Sequence, residues 1–395
     1  MISILFVDDE INILEGIRNT LRKRMNAWNV GFAESGAEAL EILSNAKYDI
    51  VVSDMRMPGM DGATLLERIH ELYPEMTRFI LTGQADREAI LRAIPVTHQF
   101  IYKPCTPQDL IAILEQTCAL YDRIQNDTIR SLVSAAKYVP SVPKTAMRIS
   151  EIAAGGHGTL RDVARVVEED PGLSARVLQV ANSAYIGRTK PVLGIDEAVS
   201  LIGVECAQAL AISNDVFVDS QDNRLLSRLV SVTYAKSFRG AVLTAKYLTG
   251  HPQKSLGMTS SLLRDIGIVV SVAATPPILT AAMHLLEQQN ETLQDFEKRT
   301  IGITHAEIGA HLLALWGTPM TVVEAVTCHH SVQDSTLDPY VMAAIHVGDI
   351  VAEYGSLPLI LLREKLDWNY IAEHDLETEV NEWLSFEQTG GQRAA

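Results

Sequence analysis

Asp8-Asp9, Asp54, Thr82, Phe100 and Lys103-Pro104 carry the pointed chemistry of the amino-terminal part of the chain. Each stands at or just past the end of an apolar run with strand character. Three carboxylates brought together repel one another unless a cation lies among them. An oxygen-only donor set suits Mg²⁺, which keeps waters and accepts phosphate oxygens. With its charge so offset, the Asp54 carboxylate can attack phosphorus as a nucleophile. The new phosphoryl oxygens need donors, and Lys103 supplies a point charge and Thr82 a hydroxyl. Taken singly, such residues have ordinary explanations, an aspartate as a helix cap and a Lys-Pro as a surface turn. Their joint occurrence at the ends of successive runs argues for phosphoryl chemistry on aspartate.

The elements that must position them follow from periodicity. Ile2–Val7, Val30–Ala33, Ile50–Ser53, Phe79–Leu81 and Gln99–Tyr102 read as strands. Helix-period segments alternate with them: Ile11–Arg24, Ala37–Ala46, Ala63–Leu72, Asp86–Ala93 and Pro107–Tyr121. This alternation predicts an α/β doubly wound parallel sheet of five strands over residues 1–122. Continuous runs such as DIVVSD fit strands buried on both faces. Ligands of such sheets bind beyond the carboxyl ends of the strands, where these residues fall. Ser35-x-x-Glu38 is predicted to be a capping box. The peptide before Pro104 is a candidate for the cis form.

Residues 1–122 resemble the response-regulator receiver domain, a flavodoxin-like fold. The acidic pair is Asp8-Asp9, the phosphoacceptor is Asp54, and DMRMPGMDG (Asp54 to Gly62) matches the loop that follows it, with Pro58 and Gly62. Thr82 and Lys103 match the switch hydroxyl and the lysine. Phe100 takes the aromatic switch position, where many relatives carry Tyr. The resemblance implies Mg²⁺ held by Asp8, Asp9, Asp54 and the Arg56 backbone carbonyl, phosphoryl transfer from a histidine kinase, and slow self-dephosphorylation.

A three- or four-residue apolar spacing runs on from Leu110 through Tyr121 to Ala136, without Pro or Gly before Pro140. Residues 123–140 are therefore read as a helical linker, either continuous with the preceding helix or broken near Asp122–Asn126. Beyond it the strand period disappears. Residues 141–355 read as an all-α domain, with helix starts at Thr159-x-x-Asp162, Asp170-Pro171 and Thr304-x-x-Glu307. Residues 356–395 read as a helical tail. Ile266 to Met283 is uncharged, but Pro276-Pro277 breaks it, which favours two buried helices over a membrane span.

EEDPGLSARVLQVANSAYIG (Glu168 to Gly187) and AVSLIGVECAQALAIS resemble the HDOD family, relatives of the HD metal-dependent phosphohydrolases. VPSVPKT (Val139 to Thr145), Asn182-Ser183-Ala184, His305, Gly309, Trp316, Pro319 and His329-His330 fit the same pattern. A catalytic HD site needs a histidine, a His-Asp pair, later histidines and a final aspartate to hold metal ions. Here the first histidine aligns with Lys236 and the pair with Arg264-Asp265, while Asp265, His305, His329, His330 and Asp349 remain. A guanidinium cannot ligate a metal. Arg264 is expected to pair with Asp265 and Lys236 with Asp349, and the adjacent His329 and His330, taken as helical, to diverge. His305 and His311 are expected to make local hydrogen bonds. This favours a non-catalytic output domain without a cofactor, acting through protein–protein contacts. The alternatives are a divergent metal-dependent phosphodiesterase acting on a (cyclic di)nucleotide, and a nucleotide sensor using Lys236 and Arg264.

Composition narrows the classes further. The 395 residues are 47% hydrophobic and 21% charged, as in soluble globular proteins, and the length predicts more than one domain. A net charge of −16 opposes binding to nucleic acid or an anionic membrane. Four scattered cysteines without a CxxC pair, and an amino terminus without a basic region, predict a cytoplasmic protein. The downstream partner and dimerisation stay open.

Overall fold

The computed structural model describes residues 2–22, 28–83, 92–123, 133, 139, 145–154, 159–183, 191–214, 221–274 and 292–388. The chain divides into two compact units. The first is Met1–Tyr138 with Gln179–Pro191 and Ala314–Gly317, and the second comprises Val139–Leu178, Val192–Leu313 and Thr318–Ala395.

The first unit holds a parallel sheet of β1 (Ile2–Val7), β2 (Trp28–Ala33), β3 (Ile50–Asp54), β4 (Thr77–Thr82) and β5 (Gln99–Tyr102), in the order β2-β1-β3-β4-β5. Between and after them run α1 (Ile11–Leu21), α2 (Gly36–Asn45), α3 (Gly62–Leu72) and α4 (Pro107–Arg123). The central β3 and β4 are buried along their whole length, which is why their sequences are continuously apolar rather than alternating. The expected helix at Asp86–Ala93 falls largely on residues 84–91, outside the described residues, as do most of the linker and the second helix after Pro276-Pro277.

Caps were legible with one change. Thr159 and Asp162 form a full capping box, and Thr304 and Glu307 bond each other reciprocally. Ser35 accepts the Glu38 N–H, but Glu38 reaches past Ser35 to the Glu34 N–H (2.7 Å). The box is thus half formed, because the carboxylate finds its donor one residue earlier.

The second unit is all-helical. The helices beyond the sheet are α5 (Thr145–Ala154), α6 (Leu160–Glu168), α7 (Pro171–Ser183), α8 (Ile195–Ile202), α9 (Val204–Asn214), α10 (Gln221–Tyr247), α11 (Lys254–Leu263), α12 (Ile266–Ala274), α13 (Leu293–Ile301), α14 (His305–Leu315), α15 (Met320–Cys328), α16 (Pro339–Tyr354), α17 (Leu359–Arg363), α18 (Trp368–Glu373) and α19 (Glu377–Gln388), of which the ends of α7 from Gln179 and of α14 from Ala314 fall in the first unit. The long α10 packs against both α11 and α16. The tail closes this core: Trp383 stacks on Tyr247 at 4.9 Å, and Val380 and Leu384 are buried with Ile345 and Val347. The apolar stretch Lys254–Val272 is 83% buried within the fold, as a core segment is.

Candidate functional site

The register of the sheet assembles the first site. Val7 pairs with Ser53, so Asp8 and Asp54 emerge side by side from β1 and β3. Asp54 pairs with Leu81, and Thr82 with Tyr102, which brings Thr82 and Lys103 to the same rim. The Lys103 N–H donates to the Thr82 carbonyl (2.7 Å), and Lys103-Pro104 is cis. β1 and β3 are the strands at which the chain order of the sheet reverses, the place where such sheets form their crevice.

Lys103 Nζ bridges Asp8 Oδ2, at 3.1 Å, and Asp54 Oδ1. Both carboxylates are buried and held from behind. Asp8 Oδ1 accepts the Glu10 N–H (2.9 Å), and Asp54 Oδ2 accepts the Arg56 N–H (2.8 Å). Burial pushes the Asp54 carboxyl above its ordinary range, against the pull of Lys103. The Lys103 ammonium is raised: burial opposes this, but contact with Asp54 and Asp8 outweighs it. Gly62 is required here, since a Cβ would meet the Asp54 carbonyl oxygen at 2.1 Å. Asp9 is exposed and lies along a cleft with Arg56, Pro58 and Asp61. Thr82 and the Phe100 ring are buried. The donor set of the rim is carboxylate oxygen around a point that already attracts a cation, and it fits Mg²⁺.

The second site gathers the other sequence-selected residues. Arg264, at the carboxyl end of α11, is fully buried, with Nε 3.1 Å from Asp265 and 2.8 Å from Asp349 on α16. Its remaining donors reach the Ser261 carbonyl (2.9 Å) and the Lys236 carbonyl (3.3 Å). Arg264 therefore takes both carboxylates. Lys236 pairs with Glu353 at 2.7 Å and not with Asp349, because Glu353 lies one turn beyond Asp349 on the same face of α16, within reach of the longer side chain. Burial pushes the Asp265 carboxyl up, but Arg264 and then the neighbouring histidines outweigh it and hold it at about 2.

The histidines also depart from expectation. The rings of His329 and His330 do not diverge; their centroids are 3.9 Å apart. The reason is that α15 stops at Cys328, so His329 is its C-cap and His330 lies in the turn, where helical spacing no longer applies. His305 is not locally satisfied. Its Nδ1 and its N–H both meet the buried Glu297 carboxylate, at 2.7 Å each. His305 Nε2 is 3.0 Å from His330 Nε2 and 3.7 Å from Asp265 Oδ1. Gly267 allows this approach of α12 to α14, since a Cβ there would be 2.0 Å from the His305 carbonyl oxygen. Burial lowers the His305 imidazole, but Glu297 more than offsets this and it is raised. Burial pushes His329 down to about 3. His311 is buried outside this group. Asp170 caps α7 through the Leu173 N–H (3.1 Å).

Sequence reasoning missed Glu297, Glu353 and Ser237, whose hydroxyl donates to Asp265 (3.1 Å). Glu353 had a signal, its four-residue spacing from Asp349. Glu297 and Ser237 had none.

A doubly wound sheet with this rim, joined to an all-helical unit, places the chain among the response regulators. More particularly, residues 4–115 match the response regulator receiver domain and residues 139–332 the HDOD domain. The hydrogenase transcriptional regulatory protein HoxA of Bradyrhizobium diazoefficiens is 32% identical over 128 residues, 32% of this chain and 26% of HoxA. A signal receiver domain of an HD domain-containing protein from Pseudomonas fluorescens Pf-5 is 36% identical, over 29% of this chain and 92% of that one, with a TM-score of 0.28. The MmoQ response regulator of Methylococcus capsulatus is 21% identical over 63% of this chain and 98% of its own, with a TM-score of 0.49. The chain spans between 23% and 45% of the length of the first curated relatives it matches.

Proposed function

We propose that this response regulator is switched by phosphorylation of Asp54 and that its HDOD domain acts on a downstream protein by contact rather than by catalysis. The observation that carries the first half is the Lys103 bridge between Asp8 and Asp54 at the sheet rim beside Thr82. An Asp54 oxygen attacks the phosphorus of a phosphohistidine on a histidine kinase. The O–P bond forms as the P–N bond breaks, and the departing imidazole nitrogen takes up a proton. Mg²⁺, held by Asp8, Asp9, Asp54 and the Arg56 carbonyl, supplies charge neutralisation for the phosphoryl oxygens when bound. Lys103 then exchanges its carboxylate contact for a phosphoryl oxygen, and the Thr82 hydroxyl turns toward the same group. The added charge of about −2 is the local cause of the rearrangement. Phe100, buried on β5, is the side chain that must follow Thr82.

The second half is supported by Arg264. A guanidinium fixed between Asp265 and Asp349 occupies carboxylates that a pair of catalytic metal ions would need. Labelling with acetyl phosphate tests the switch: D54A should take up no label, and persistent labelling would place the acceptor elsewhere. A pull-down comparing phosphorylated with unphosphorylated protein tests the output, which requires a partner enriched in one state only.

A further inference from the structure

We propose that the chain forms a two-fold dimer in which the outer face of α10 in one copy docks on the acidic tail, α18 to α19, of a second copy. Two stretches of the sequence carry the argument. From Asn223 to Arg264 there are seven Lys or Arg and no Asp or Glu. From Leu366 to Gln392 there are seven Asp or Glu and no Lys or Arg. In a chain with 49 acidic and 33 basic residues, these runs separate charges that are mixed elsewhere.

The fold turns both runs outward. Arg228, Val232, Ala235, Arg239, Val242 and Lys246 are all exposed, at alternating spacings of four and three. That is the spacing of a heptad seam, which follows one side of a helix. The seam is about 27 Å long at 1.5 Å per residue. Val232 and Val242 are 38% and 46% exposed on it, while other sides of α10 pack against α11 and α16. Lys236 and Arg264 stand apart from the seam, engaged by Glu353 and by Asp265 with Asp349. In the tail, Val380, Trp383 and Leu384 turn into the core, which leaves Glu373, Asp375, Glu377 and Glu382 exposed.

Charge selects the occupant. Pairing α10 with its own copy is opposed in either direction: antiparallel, Arg228 meets Lys246, and parallel, each cation meets itself. The tail offers carboxylates to the seam, and complementary charge of this kind sets which surfaces meet. The two faces adjoin on one molecule, because Trp383 stacks on Tyr247 at the end of α10 with ring centroids 4.9 Å apart. A two-fold axis near that stack lays each α10 on the other copy's tail, so one contact forms twice and closes the assembly. The net charge of −16 on each copy opposes association. Physiological salt screens that repulsion beyond about 8 Å and leaves ion pairs in direct contact largely intact. The dimer requires neither phosphorylation of Asp54 nor a downstream protein.

The test measures the mass of full-length protein by light scattering during size exclusion, over a range of concentrations. R239E/K246E reverses the seam and E373K/E382K reverses the tail. Wild type should have the mass of two chains at physiological ionic strength. It should shift toward one chain as salt approaches 1 M, where the screening length falls to about 3 Å. Each variant alone should have the mass of one chain, with circular dichroism like that of wild type. Mixed in equal amounts, the two variants should recover the mass of two chains, since both contacts again join opposite charges. A one-chain mass for wild type at every concentration, even if it captures a different acidic protein, would overturn the dimer. So would a two-chain mass for either folded variant alone, or a folded mixture that stays at one chain.

Discussion

The guanidinium of Arg264 lies 2.8 Å from the carboxylate of Asp349, across two helices that are 85 residues apart in the chain by their numbers. This pairing decides the character of the helical unit, because the same guanidinium also engages Asp265 and donates to the Ser261 carbonyl at the end of its own helix. It is a fixed positive charge at the centre of a core.

Removing that charge should be costly. Arg264→Met leaves two half-buried carboxylates facing each other, and since a fully buried uncompensated charge costs about 3–5 kcal/mol, the loss here should approach the lower end of that range. Urea denaturation should show a loss in this range, and the R264M/D349N pair should recover part of it. An R264M protein as stable as wild type would show that the pairing carries no weight.

The rim of the receiver makes a different prediction. Lys103→Met exposes Asp8 and Asp54 to each other's charge. The receiver should then melt at lower temperature without divalent cation, and Mg²⁺ should raise its melting temperature by more than it does in wild type. Labelling by acetyl phosphate should fall. Equal Mg²⁺ responses in the two proteins would argue against a shared cation position.

Glu168 gives a pH dependence. Burial first, and then Asp196, push its carboxyl from an ordinary value of 4.5 to about 7. The folded chain therefore keeps a proton that the unfolded chain has lost between those values. Stability falls as pH rises through this window. Glu168→Gln should be more stable than wild type by about 1 kcal/mol at pH 8, since partial solvent access screens the effect, and indistinguishable at pH 4. Thermal melts across pH would check it, and parallel curves for the two proteins would refute it.

Gly267 tests the approach of α12 to α14. Gly267→Ala sets a methyl group 2.0 Å from the His305 carbonyl oxygen, against backbone that cannot rotate away. Overpacking of this kind costs about 1–3 kcal/mol, and His305 should move away from Asp265. A calorimetric melting temperature unchanged by the substitution would mean that the helices part freely.

The sequence by itself determined the receiver. Its sheet repeats a local rule, an apolar strand followed by a helix, and the residues that matter are all at strand ends, so chain order alone put Asp8, Asp54, Thr82 and Lys103 at one rim. The caps at Thr159 and Thr304 were legible for the same reason, since each involves residues three apart. Only the tertiary structure decided the helical unit. That Lys236 meets Glu353 and Arg264 meets Asp349 depends on how α10 and α11 rotate against α16. That His329 and His330 converge depends on where α15 stops, and that Glu297 reaches His305 depends on how α13 turns into α14. Such contacts join residues with no fixed spacing, and side-chain reach across packed helices, not local periodicity, selects among them.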